Sequence, residues 1–272
     1  MLTFPNAKIN IGLNITEKRP DSFHNIESVF YPVNWCDALE IIPSTQFGFQ
    51  SSGLAIPGDQ TSNLCVKAYH LLRNEYPVLN TGSVLFHLHK VIPMGAGLGG
   101  GSADGAFALK MLNEIFELNL STVALQNFAR RLGSDCAFFI ENRPVFCFNK
   151  GDEFEEYPLS LKGKFIVLVN PAIHISTAEA YGGVTPKKPE VSIKEALKLP
   201  LNKWEGLIKN DFEENLLWKY PAIAEIKKTL YEQKALYASM TGSGSTVYGI
   251  FEQETDLKSM FADFMVWQGY LT

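Results

Sequence analysis

The chain has 272 residues, of which 46% are hydrophobic and 19% charged, and its formal net charge is −5. Such a composition supports a sizeable core and argues against disorder. The acidic balance, with no basic run longer than pairs such as Lys187-Lys188, argues against a nucleic-acid-binding surface. Cys36, Cys65, Cys136 and Cys147 form no C-x-x-C pair and read as reduced, mostly buried thiols of a cytoplasmic protein. The start, "MLTFPNAKIN", lacks the basic and apolar regions of a signal peptide. The apolar run "FIVLV" at 165–169 is too short to span a bilayer, so no membrane partner is expected.

In chain order, "KINIGLNI" (8–15), "IESVFYPV" (26–33) and "ALEIIP" (38–43) carry the alternation and β-branching of strands. In "SVLFHLHKVI" (83–92), Val84, Phe86 and Leu88 alternate with Leu85, His87 and His89, predicting a strand that runs into Pro93. Phe107, Met111, Ile115 and Leu118 then recur at helical spacing. "STVALQNFARRLG" (121–133) predicts a second helix, with Ser121 as N-cap and Gly133 as its stop. "FIVLVNP" (165–171) reads as a buried strand, followed by the polar, proline-containing stretch 185–200. A helical region through "PAIAEIKKTLYEQKA" (221–235), the segment "YASMTGSGSTVYGIF" (237–251) and a final helix complete the chain. Strands and helices come in groups, so the expected class is α+β, with a boundary near residue 155.

"PMGAGLGGGSADGAF" (93–107) places five glycines within residues 95–101. Glycine costs backbone entropy, so something must gain from bare backbone there. Gly95, Gly97 and Gly100 fit G-x-G-x-x-G with a strand before and a helix after, but that helix is followed by another helix and not by a second strand with a terminal acid, which counts against a dinucleotide-binding unit. A Walker A loop needs Lys where Gly101 stands. A protein-kinase glycine loop needs H-R-D and D-F-G downstream, and neither occurs. What remains is an anion site made by backbone N–H groups at a helix N-terminus, suited to wrapping a polyphosphate.

That stretch resembles the phosphate-binding motif of the GHMP kinases. Its three consecutive glycines after Leu98 resemble the branch that acts on a cytidine-diphosphate-linked methylerythritol in the non-mevalonate isoprenoid pathway. "NAKINIGLNITEKRPDSFH" resembles that branch's P-A-K-x-N-x-x-L and R-x-D-G-Y-H motifs, matching at Lys8, Asn10, Asp21 and His24. Asn6, Ser22 and Phe23 depart from its Pro, Gly and Tyr; Phe23 keeps an aromatic face for stacking. "RLGSDCAFFI" (131–140) resembles L-G-x-D-V-P-F-F and puts Asp135 on the family's catalytic aspartate, although an Asp after Gly is also a common helix cap. "PAIHISTAEAY" resembles P-x-x-x-x-S-T-x-x-A-Y, matching at Thr177 and Tyr181; a buried Tyr at a strand–helix junction is the plainer reading. "MTGSGSTVYGIF" resembles the third GHMP motif, with Gly242, Ser243 and Gly244 in its turn, though a simple β-turn is equally open. "NDFEENLL" (210–217) takes a structural role, and Lys150-Gly151 is a weak hint of a basic residue near nucleotide.

The resemblance implies a two-lobed GHMP kinase fold. Residues 1–155 would form an ATP-binding lobe like ribosomal protein S5 domain 2, and residues 156–272 a ferredoxin-like lobe completing the substrate cleft. ATP would lie along Pro93, Gly95, Ala96, Gly97, Leu98, Gly99, Gly100, Gly101, Ser102 and Ala103, with Mg²⁺ bridging its phosphates and no dedicated metal ligands. Asp135 would take the proton from the 2-hydroxyl of the methylerythritol, with Lys8 beside it and Asn10 positioning groups. Cytosine would stack between Phe23 and Tyr181, with His24 on its edge and Thr177 nearby. The oligomeric state stays open, as do a kinase for homoserine or mevalonate and a non-catalytic nucleic-acid-binding module. His87 and His89 lack an evident third metal ligand and read as a solvent-facing strand surface; Asp152, Glu153, Glu155 and Glu156 read as a solvated edge.

Overall fold

The structure is a computed structural model that describes residues 1–77 and 82–272. Its elements begin with β1 (Leu2–Thr3), β2 (Asn6–Lys18), β3 (His24–Cys36), β4 (Ala38–Ser44), β5 (Gly48–Gly53), α1 (Leu64–Glu75) and β6 (Ser83–Lys90). They continue with α2 (Gly100–Ile115), α3 (Thr122–Leu132), α4 (Phe138–Glu141), β7 (Val145–Phe148), β8 (Glu153–Glu156) and β9 (Phe165–Asn170). The rest are α5 (Thr177–Gly182), α6 (Ile193–Ala196), α7 (Glu213–Lys219), α8 (Pro221–Glu232), β10 (Tyr237–Met240), β11 (Val247–Phe251) and β12 (Met265–Tyr270). Two compact units are woven from this order. The first comprises Met1–Ala7, Trp35–Met94 and Gly99–Arg143; the second comprises Lys8–Asn34, Gly95–Leu98 and Pro144–Thr272.

The first unit is built on a sheet in the order β1-β4-β6-β5. The β4–β6 pair is antiparallel and the β5–β6 pair parallel. A parallel pair requires a crossover, and α1 supplies it. Leu39, Ile41, Val84, Phe86 and Leu88 are buried, as the alternation requires. Ser121 caps α3 by accepting a hydrogen bond from the Ala124 N–H. Helix α2 departs from the stripe read in the sequence. Phe107 and Ile115 are only half-buried, Leu118 lies beyond the helix, and the buried face runs through Ala103, Ala108, Leu109, Met111 and Leu112. Small residues set that face because α1 passes close: a Cβ on Gly105 would lie 2.8 Å from the Leu64 Cβ.

The second unit holds two sheets, β2-β3-β7-β8 and β10-β11-β9-β12. Helices α5, α7 and α8 contribute Ala180, Leu216, Ile223, Ile226 and Leu230 to a core with Phe165, Val167, Val169 and Val247. The expected final helix is absent; the chain ends in strand β12, paired antiparallel with β9 from Met265↔Asn170 to Tyr270↔Phe165. Leu257 and Phe261 do have helical spacing and are buried, but only turns connect them. Pairing along the buried strand β9 satisfies a backbone edge that a helix there would leave open. The fold is α+β, and all four cysteines are free. Among the described residues no helix is long and apolar enough to cross a membrane.

Candidate active site

The glycine stretch is a fixed turn, not a slack one. Gly95, Gly97 and Gly99 have φ of 63°, 78° and 69°, so left-handed backbone recurs at every second residue. The intervening Ala96 and Leu98 are buried anchors. A Cβ on Gly97 would lie 2.0 Å from the Thr241 carbonyl oxygen, so no other residue fits. Gly99 is the N-cap of α2; no side chain caps this helix, and its first turn has no acid. Its leading N–H groups and its dipole therefore favour an anion. Pro93 is half-buried at the entry, and Gly100, Gly101, Ser102 and Ala103 form the first turn of α2.

Within the second unit, Lys8, Asn10, residues 95–98 and the third motif come together. Asn6, Lys8, Asn10 and Asn14 alternate along β2 and are all buried, at 6% exposure or less. Buried polar groups must be bonded, and these are. Lys8 Nζ donates to Asn10 Oδ1 at 2.5 Å and lies 4.6 Å from the centre of the Phe30 ring. Asn10 Nδ2 donates to Ser28 Oγ at 2.9 Å, and Ser28 in turn donates to the Gly12 carbonyl at 2.6 Å. The Lys8 N–H donates to the Leu98 carbonyl at 2.9 Å. Thr241 Oγ1 accepts from the Asn10 N–H at 3.0 Å and donates to the Gly97 carbonyl at 3.0 Å. Gly242 lies against Gly97, Gly244 is buried behind it, and Ser243 between them is half-buried. Asn210 and Glu213, read from the sequence as structural, brace this turn. Asn210 Nδ2 donates to the Met240 and Gly242 carbonyls at 2.8 and 2.9 Å, and Glu213 Oε1 accepts the Met240 N–H at 2.7 Å.

Within the first unit, Asp135 is half-buried in a 3₁₀ turn at Ser134–Ala137. The next residue, Cys136, is buried, and burial pushes its thiol up to about 12, with a smaller opposing effect from Ser102 in the first turn of α2. The Asp135 turn packs against α2, whose start closes the glycine stretch. Beneath that start lies a buried cluster that the sequence reading missed. Lys90 Nζ donates to Asp37 Oδ2 and, at 2.9 Å, to Asp104 Oδ2. Asp37 Oδ1 accepts the N–H groups of Val91 at 2.6 Å and Ile92 at 2.8 Å. A Cβ on Gly100 would lie 2.9 Å from Lys90 Nζ. Burial pulls Lys90 down, but Asp104 and Asp37 outweigh it and leave the ammonium raised. Burial pushes Asp104 up to about 7 against the attraction of Lys90, and its Oδ1 has no hydrogen-bond partner among the described residues. A signal was present: Lys90 is in phase with Val84, Phe86 and Leu88, on the buried side of the strand.

The remaining predicted residues lie in the second unit. His24 stacks on Tyr181, with ring centroids 4.7 Å apart and planes 19° from parallel, and Phe212 meets Tyr181 edge-on. Burial, with a smaller contribution from Lys18, lowers the His24 pKa and favours the neutral ring. Phe23 is 59% exposed, with Lys150 Nζ 5.4 Å from its ring centre. Ser22 has φ 67°, the conformation that glycine takes most easily, so the departure from Gly at this point carries strain. Thr177 is exposed at the start of α5, which Ser176 caps. His89 is exposed and His87 half-buried, and among the described residues no three His, Cys, Asp or Glu side chains group to hold a metal.

In the first unit an aspartate turn packs against a helix whose start no side chain caps, and in the second a glycine turn and a buried lysine adjoin the braced third motif; each is a part that phosphoryl transfer to a small molecule can use. The family description "GHMP kinases N terminal domain" matches residues 63–143, and "GHMP kinases C terminal" matches residues 192–264. The chain is 53% identical over 261 residues to a 4-diphosphocytidyl-2-C-methyl-D-erythritol kinase of Bacteroides thetaiotaomicron, covering 94% of each chain. It is 51% identical over 257 residues to the protein of that name from Cytophaga hutchinsonii, again covering 94% of each. A crystal structure of 4-(cytidine 5'-diphospho)-2C-methyl-D-erythritol kinase superposes with a TM-score of 0.85 at 27% identity, covering 99% of this chain and 98% of that one. The chain belongs to the GHMP kinases. It is a small-molecule kinase.

Proposed function

We propose that this kinase transfers the γ-phosphoryl group of ATP to the 2-hydroxyl of 4-diphosphocytidyl-2-C-methyl-D-erythritol, a step in making isoprenoid precursors by the non-mevalonate route. The acceptor follows from the names of relatives about half identical over nearly the whole chain. The observation that carries the chemistry is the packing of the Asp135 turn against α2, the helix that follows the glycine stretch. The N–H groups at residues 99–103 receive ATP phosphates, and the preceding left-handed turn curves the backbone towards them. Asp135 accepts the proton of the attacking hydroxyl. Lys8, held by Asn10, offsets charge in the transition state. A neutral His24 donates to or accepts from the cytosine edge, with Phe23 and Tyr181 as the flanking rings and Thr177 at the cytidine substrate. We read residues 1–155 as the ATP-binding portion and 156–272 as completing the substrate site.

Mg²⁺ would bind chiefly through the ATP phosphates, since this ion keeps several waters and dehydrates reluctantly. When bound, it neutralises phosphate charge. The test is ADP release from ATP and Mg²⁺ with the cytidine-linked substrate, run beside homoserine and mevalonate. Turnover confined to the cytidine substrate is expected; turnover with another alcohol instead would discard the cytidine pocket. Asp135→Asn is expected to lower kcat by about 100-fold or more with a smaller change in KM, and undiminished turnover would remove the base assignment.

A further inference from the structure

His174 is a residue to which the reading above gives no role. It is exposed and lies on the segment between β9 and α5, in the same unit as residues 95–98. The backbone around it is pinned at each step. Asn170 Oδ1 accepts the Ala172 N–H at 3.0 Å, and Ala172 takes a left-handed φ of 57°. Ser245 Oγ donates to the Ile173 carbonyl at 2.6 Å. Ile175 is buried, and a Cβ on Gly244 would reach its Cδ1 at 3.3 Å. Ser176 Oγ accepts the Glu179 N–H at 3.1 Å. Both neighbours of His174 are thus fastened to the third-motif turn, and the ring between them is turned outward onto the glycine turn. A Cβ on Gly95 would lie 3.5 Å from His174 Nδ1 and 3.6 Å from Cε1.

With the backbone on both sides of it held, only the His174 side chain is left to order when a ligand arrives. Its ring has no hydrogen bond to any described residue, while the nearby Glu179 carboxylate is already engaged by Lys219 and Tyr220 at 2.6 and 2.5 Å. Three residues further along is Thr177 and seven further is Tyr181, on the side assigned to the cytidine group. An imidazole N–H placed over the first glycine of a phosphate turn has one evident use, donation to an anionic oxygen.

We propose that His174 is a phosphate ligand, donating a hydrogen bond from its ring to a diphosphate oxygen bound along the glycine turn. The inference rests on the kinase reading, and the diphosphate belongs either to ATP or to the cytidine-linked substrate. The test compares His174→Ala, His174→Gln and His174→Arg in the full chain. KM is measured for each substrate, and calorimetric titrations use ADP and cytidine 5'-diphosphate as probes. Loss of the contact is expected to weaken one of the two ligands by about tenfold, in KM more than in kcat, with Arg restoring most of it. Movement of the ATP and ADP constants assigns the contact to the nucleotide; movement of the cytidine constants assigns it to the substrate. Unchanged constants for both, or equal loss in the Ala and Arg variants, would overturn the proposal. Wild-type protein without turnover would defeat the kinase reading instead, and the two probe titrations would still read His174.

Discussion

Strands β2 and β6 carry the same alternation and put their polar residues to opposite uses. In β6 the odd positions His87 and His89 alternate with the buried set, and His89 is exposed and bonded to the Ser52 hydroxyl at 2.9 Å. In β2 the polar set of Asn6, Lys8, Asn10 and Asn14 is buried along with the apolar set. Burying such groups is unfavourable unless each finds partners, so a strand that is polar on a buried face is shaped by something other than core packing. Lys90 breaks the pattern of β6 in the same sense. It occupies the buried phase, and two aspartates meet it there. The difference teaches that the polar residue to ask about is the one on the wrong side of its strand.

The comparison breaks hardest at Lys90. Replacing it with Met leaves Asp37 and Asp104 buried without their cation, and urea denaturation is expected to show a loss of about 3–5 kcal/mol. A loss under 1 kcal/mol would mean that the cluster is not a structural unit. Next is Lys8→Met, which removes charge from the buried face of β2. Its expected effect is on chemistry, a fall in kcat of about 100-fold at saturating substrates. A variant that lost only stability would make Lys8 a packing residue.

Asp104→Asn sharpens the contrast through pH. Burial holds this carboxyl near 7, above the value of about 3.9 for an exposed aspartate. Between these values the folded chain binds the proton more readily than the unfolded chain does. The associated stability is fully present below about pH 4 and is lost as pH rises through 7. Asn cannot ionise, so the variant is expected to gain on the wild type between pH 5 and pH 8 in denaturant midpoints; parallel curves would refute the raised value. The smallest effect belongs to the exposed face. His89→Ala is expected to change stability by no more than about 0.5 kcal/mol and to leave turnover untouched, and a larger cost would show that this face is in use.

Much of this was legible in the chain itself. The strand at 83–92, the Ser121 cap, the buried run at 165–170 and the kinase motifs are local signals. Each depends on the period of the backbone or on residues a few positions apart, and local chemistry is what a sequence displays directly. The glycine stretch likewise announced a backbone that must come close to something. Other features depend on residues far apart in the chain. Gly97 must be glycine because Thr241 presses on it, Asn10 is fixed by Ser28 and Thr241, and Lys90 is held by Asp37 and Asp104. The helix expected at the C-terminus gave way to β12 because β9 offered it a backbone edge, a partner nearly a hundred residues earlier. The sequence by itself determined most of the local elements, the family and the segments in which its motifs lie. Tertiary structure alone decided which polar groups are buried, because burial and its compensation depend on which distant segments pack together.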